Sequence, residues 1–199
     1  MPIELQPLIP FLIMTAVLSA ASAMAYMAAI RKGREIATRS QWSMPKLITS
    51  CVLVVGCVGV VLPDVTGLGL TQVNQMIDAQ FTLGMLVILL AAKIFVTAYC
   101  LNTGFFGGVF GPALFVGAAT GAIAAYLAVM MGLAPHLSYA LPVAAIAAVG
   151  GAVIGAPLAV IMIVIELTGS YAYGLSAMLC VILYLRNQPV ELCSRAPVP

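Results

Sequence analysis

The chain has 199 residues, of which 63% are hydrophobic and 7% charged, with a net charge of +2 and a mean hydropathy of +1.16. Soluble domains carry about 25% charged residues, so this chain has too few to cover a water-facing surface, and lipid must be much of its solvent. A net charge this small leaves no nucleic-acid footprint.

The first apolar segment, residues 8–30, is long enough to span the hydrocarbon core. Its small residues, such as Ala16, Ser19, Ala20 and Ala23, suit close helix packing. Residues 1–10 contain Glu4 and no basic residue, and the apolar run exceeds a signal-peptide core, so it reads as a membrane helix. Arg31, Lys32, Arg34, Arg39 and Lys46 follow, five of the eight basic residues, with Glu35 the only acid among them. The positive-inside rule predicts that this loop, 31–46, is cytoplasmic. Trp42 and the tyrosines suit interfacial anchoring.

A second span is predicted over 46–62, ending at Pro63-Asp64. Residues 64–80 are too polar to span and read as a loop with one short helix, solvated or capped by Asp64 and Asp78. A third span covers 81–101 with Lys93 in its interior, where a charge should face protein or water. Lys93 either raises the positive potential toward an anion path or is a snorkelling or buried structural lysine. After the glycine-rich stretch 102–112, residues 113–131 are apolar, and His136 reads as a loop residue in a short break. The run 141–168 is interrupted by Gly150-Gly151 and by Gly155-Ala156-Pro157, which predicts two broken helices rather than one long span, because proline removes a donor and clashes with the preceding turn. A last helix is expected over 173–185, then a polar tail with three prolines. Cys51, Cys57, Cys100, Cys180 and Cys193 form no CxxC pair and read as small packing residues.

Gly/Pro-interrupted apolar segments point to a transporter, whose half-helices end inside the membrane. In Gly107-Gly-Val-Phe-Gly-Pro112 the paired glycines allow a tight turn with positive φ, and Pro112 suits the first turn of a helix. A loop would then open into a helix N-terminus at membrane depth. Unpaired N–H groups and the positive end of the dipole make such an end an anion site. Amides without a formal charge bind weakly enough to let an ion leave. A glycine-rich packing turn is the other reading of the same spacing.

The stretch Gly107-Gly-Val-Phe-Gly-Pro112, continuing to Gly117-Ala118, resembles the GGxFxPxLxxGA signature of the CLC family of chloride channels and chloride/proton exchangers. Leu83-Gly-Met-Leu86, Ala92-Lys-Ile-Phe-Val-Thr97, Cys100 and Gly104 resemble the helix leading into it. Gly151-Ala152, Ala156-Pro157-Leu158 and Glu166-Leu167-Thr168 resemble the broken helices that follow. The resemblance covers about residues 5–185 and implies an all-α fold of polytopic, broken and re-entrant transmembrane helices, the second half of an inverted-repeat membrane domain. It implies a family domain over 1–188 and a polar tail over 189–199.

It also implies anion binding by the main-chain N–H groups of Phe110 and Gly111, presented by Gly107, Gly108, Val109 and Pro112. Chloride is the expected ligand, with no cofactor and no metal. Lys93 and Glu166 are supporting candidates, Glu166 either as a structural group at helix ends or as a proton relay. A homodimer through 155–187 and a place in a bacterial inner membrane are further expectations. The family's GSGIP loop does not occur here, and the GxxGP pattern occurs only as Gly108-Val-Phe-Gly-Pro112, within the signature itself and without a gating glutamate. No tyrosine stands in 186–193, where the family places a pore-lining one, and no CBS-type domain is expected within these 199 residues. A separate N-terminal half is therefore an expected partner, a truncated fragment that transports nothing on its own is the alternative expectation and the favoured one for this chain alone, and the residues that separate channel from exchanger belong to that other half. An intramembrane enzyme is not expected, because His136 is the only histidine and no HExxH or GxSxG string occurs.

Overall fold

The computed structural model describes residues 5–39, 43–67, 69–103, 107–168 and 177–182. All regular structure among them is helical: α1 (Leu5–Arg39), α2 (Met44–Val61), α3 (Leu70–Ile77), α4 (Leu83–Asn102), α5 (Phe110–Met130), α6 (Pro135–Ser138), α7 (Ala140–Ile154) and α8 (Pro157–Thr168). A 3-10 turn at Pro63–Val65 follows α2, and 177–182 are helical. Five described segments are long and apolar enough to cross a membrane: Leu8–Arg39, Met44–Val61, Leu83–Asn102, Phe110–Met130 and Pro135–Ile154. The chain is an integral membrane protein, as its composition requires.

The first helix does not stop where the charges begin. It runs through Arg31, Lys32 and Arg34 to Arg39, so much of the expected 31–46 loop is helix. The reason is intrinsic: Arg, Lys, Glu and Ala are good helix formers, and charges mark the membrane interface rather than a helix end. Thirty-five residues rise about 52 Å, beyond a hydrocarbon core of about 30 Å. Gly33 is retained inside this helix because a Cβ there would collide with the Asn102 side chain. Asn102 Nδ2 in turn donates to Ile30 O at 3.0 Å and fastens the end of α4 to α1. Trp42 lies outside the described residues.

The centre of the bundle is α5, which packs on α1, α3, α4 and α7. Lipid tails are as apolar as leucine, so such contacts rest on close packing rather than on exclusion from water. The α5–α7 seam shows this. The two helices run antiparallel, and a Cβ at Gly117 would lie 2.7 Å from Ile146 Cα. Gly121 similarly meets the backbone of Leu141 and Pro142. Thr120 Oγ1 donates to Val116 O at 2.7 Å, so the buried hydroxyl is satisfied within its own helix.

The 141–168 run forms two helices as expected, with a single break between them. Gly155 adopts the left-handed conformation (φ +75°) and ends α7, and Pro157 starts α8. Gly150-Gly151 stay inside α7. Their role is steric: a Cβ at Gly151 would lie 3.0 Å from Pro157 Cα, and one at Gly150 would lie 3.1 Å from Val160 Cγ1. These glycines let α8 fold back onto α7. The expected short helix within 64–80 is α3, and His136 lies in the one-turn α6. Of the expected last helix, 177–182 are described, with Ala177 and Cys180 buried. Tyr171, Tyr173, Tyr184, Cys193 and the tail lie outside the described residues.

Candidate functional site

Val109 precedes the first turn of α5 with φ −78° and ψ −20° and offers no side-chain cap. Its carbonyl accepts the Ala113 N–H at 3.1 Å, the first bond of the helix. Phe110, Gly111 and Pro112 form the opening positions, where N–H groups have no intrahelical acceptor. Pro112 carries no N–H at all. The first turn therefore presents two amides, those of Phe110 and Gly111, and no described residue accepts from either. No acidic side chain stands in this turn, so the turn itself brings no carboxylate to the positive end of the helix dipole.

Gly107 and Gly108 are exposed, and no described atom lies within 4 Å of a Cβ built on either. Gly108 lacks the positive φ expected of a tight turn, which Gly67, Gly69, Gly132 and Gly155 show. Their small size leaves open space before the amides rather than admitting a packed neighbour. The Phe110 ring is half-buried against the main apolar core, which leaves its backbone N–H as the group on offer.

Helices α1, α4 and α7 hold this turn in place. Ala20, Ala23 and Tyr26 of α1 pack with Ala113 and Val116 of α5 and Val149 of α7, with Leu90 and Ile94 of α4 alongside. Tyr26 is fully buried, and its hydroxyl donates to Val109 O at 3.4 Å. It is the site residue that the sequence reading missed. A tyrosine at mid-helix among alanines is the signal that was there, since a buried phenol needs an acceptor. Tyr26 lies in the 8–30 apolar run, five residues before Arg31, so the start of α5 sits about 7 Å inside the basic end of that run.

Lys93 and Glu166 are not gathered at this turn. Lys93 is 2% exposed, and its Nζ donates to Val65 O and Gly67 O, each at 2.8 Å. The ammonium also lies 4.7 Å from the centroid of the Phe115 ring. It is directed to the segment between α2 and α3. Glu166 is exposed near the end of α8. Of the cysteines, Cys51 and Cys100 face one another across α2 and α4, with sulfurs 3.6 Å apart.

Tyr26→Phe keeps the ring and removes the bond to Val109. We expect a loss of about 1 kcal/mol and a fall of about 2–4 °C in melting temperature. Hydrogen exchange resolved to single amides should quicken at Ala113, whose acceptor is Val109 O. Unchanged exchange there would show that the phenol does not hold the turn.

The family model for the voltage gated chloride channel matches residues 1–183. The chain is 36% identical over 133 residues to a ClcB-like chloride channel protein of Ralstonia nicotianae, a match covering 65% of this chain and 30% of that protein. It is 33% identical over 122 residues to the H(+)/Cl(-) exchange transporter ClcA of Vibrio cholerae, covering 58% of this chain and 26% of that one. The matches thus span less than a third of the length of these curated relatives. With helical architecture, apolar spans and the family match over residues 1–183 in agreement, the chain belongs to the voltage gated chloride channel, or CLC, family.

Proposed function

We propose that this chain supplies one wall of a chloride pathway, with the main-chain amides of Phe110 and Gly111 binding the ion at the start of α5. The observation that carries this reading is the pair of first-turn N–H groups without a described acceptor, at a helix N-terminus with no acidic side chain in its first turn, inside the apolar run. Gly107, Gly108 and Val109 keep the approach open, and Pro112 fixes the turn without adding a donor. Such amides hold an anion while leaving it free to depart. Chloride is the ligand on the strength of the family, and no cofactor enters.

The same reading places the basic end of α1 in the cytoplasm and the protein in a bacterial inner membrane. The membrane domain extends over 1–188, with 189–199 a polar tail. Two subunits pair through the 155–187 region, a reading supported by the exposure of Leu158 (74%) and Met162 (63%) on α8. Glu166 serves a structural or proton-relay role there. A second reading is favoured by the length of the relatives: the chain works only with a separate N-terminal half, which completes the pathway.

The test is an amide-to-ester replacement at Gly111, which removes one N–H and no side chain. It is made in the chain alone and together with the N-terminal half of a bacterial relative, in chloride-loaded liposomes. Losing one hydrogen bond to a charged group should weaken chloride binding about tenfold or more. Efflux from the chain alone that falls in the ester supports the first reading. Efflux only with the N-terminal half, again lowered by the ester, supports the second. Efflux unaffected by the ester in both settings rejects the amide site.

A further inference from the structure

Helices α1, α2 and α4 leave a groove at the basic end of the bundle that the anion pathway does not use. It begins as an apolar cavity of about 440 Å³ lined by Ala29, Gly33, Phe95, Ala98 and Tyr99, with Lys32 at its wall. A cleft of about 300 Å³ adjoins it and is lined by Arg34, Thr38 and Met44. Ala37, Leu47, Asn102 and Thr103 belong to both. No acidic side chain lines either space, and Glu35, the only acid within 31–46, faces neither.

The cavity opens outward, because two of its wall residues, Ile36 and Phe95, are 69% and 56% exposed. Along α1 it extends from Ala29 to Ala37, about 12 Å of helix. The cleft overlaps it, lying over residues 34–38 of α1, so the basic end of the groove is offset from the apolar end by about one turn. An occupant must therefore be apolar at one end, anionic at the other, and delivered from the bilayer side.

We propose that this groove binds one anionic glycerophospholipid, its acyl chain in the apolar cavity beside Lys32 and its phosphate in the adjoining cleft at Arg34. Basic pockets between transmembrane helices at a membrane face suit such headgroups, because a nearby cation attracts them within a Debye length. The two ends discriminate differently. The cavity takes any acyl chain, whereas the cations reject a zwitterionic headgroup relative to an anionic one. Gly33 is part of the design, since a side chain there would push Asn102 out of the contact that closes the groove between α1 and α4.

The measurement is native mass spectrometry of the purified chain in detergent, titrated with phosphatidylglycerol or phosphatidylcholine of identical acyl chains. One phosphatidylglycerol should be retained, about tenfold more tightly than phosphatidylcholine. Lys32→Gln and Arg34→Gln should each weaken it about fivefold. Ala29→Leu and, separately, Ala37→Leu should weaken it as well by filling the cavity, and at least one should melt like the parent chain without lipid. Equal retention of both lipids overturns the proposal. So does a headgroup preference that the charge variants remove but neither filling variant touches, which would mean diffuse surface attraction. A change of oligomeric state in the filling variants without a change in lipid retention would assign the groove to a second chain and overturn it too.

Discussion

Gly121→Val is expected to leave almost no folded chain. A Cβ at this position would sit 2.8 Å from Leu141 O and 2.8 Å from Ala145 Cβ, and closer still to Pro142 Cα. Overpacking among side chains typically costs about 1–3 kcal/mol because rotamers can give way. Here the obstacle is the backbone of α7, so relief requires α5 and α7 to separate along a seam that other contacts of the bundle depend on. A cost above about 4 kcal/mol is expected, a large part of the 5–15 kcal/mol by which proteins are stable. Gly150→Ala is the matched control. Its Cβ would meet the ends of Val160 and Leu114 side chains at 3.1 and 3.5 Å, which can shift, and the cost should stay near 1 kcal/mol. Monodisperse yield in detergent and melting temperature decide the matter. If Gly121→Val melts like Gly150→Ala, the seam is not held by backbone proximity.

Lys93→Met should be the second most damaging change. The methionine stem fits the buried position, but Val65 O and Gly67 O lose their donor. Val65 is buried, so its carbonyl left unsatisfied costs about 1–3 kcal/mol, whereas Gly67 is exposed and its carbonyl can bond to water instead; the loss amounts to about 1–3 kcal/mol. The damage should be local. The segment from the 3-10 turn to α3 is otherwise seated by Gly69, whose left-handed backbone (φ +72°) lies flat against the Phe115 ring. Limited proteolysis should cut the variant between residues 62 and 70 while the parent resists. Lys93→Arg should not rescue it, because a guanidinium is larger and the site is 2% exposed. A variant that keeps its resistance to protease but binds chloride more weakly would assign Lys93 to the electrostatics of the anion path instead.

Much of the architecture was readable because lipid imposes simple demands. Apolar runs of span length, the polar stretch 64–80 and the Gly155-Ala156-Pro157 break each correspond to an element boundary. The start of α5 was readable for a similar reason: Pro112 belongs in a first turn, and a small-residue helix follows it. The misreadings share a cause. Charge was taken as the end of α1, and paired glycines at 150–151 as a break, although both assignments depend on what packs opposite. Asn102 faces Gly33, and Pro157 faces Gly151. Composition at one position does not reveal its neighbour across the bundle. The partner of Tyr26 was hidden for the same reason, as its acceptor is a backbone carbonyl and leaves no trace in residue type.

The bond from Tyr26 to Val109 joins residues 83 apart in the chain. During synthesis the phenol enters the bilayer before α2, α3 and α4 exist, and its acceptor arrives only after all three. Contacts of such sequence separation close late, because the intervening segment must first surrender its freedom. An assembly intermediate can therefore have every helix inserted and fully formed while the start of α5 is still unanchored. Circular dichroism would score that species as native. Only a probe spanning residues 26 and 109 would distinguish a chain that is helical from one that is finished.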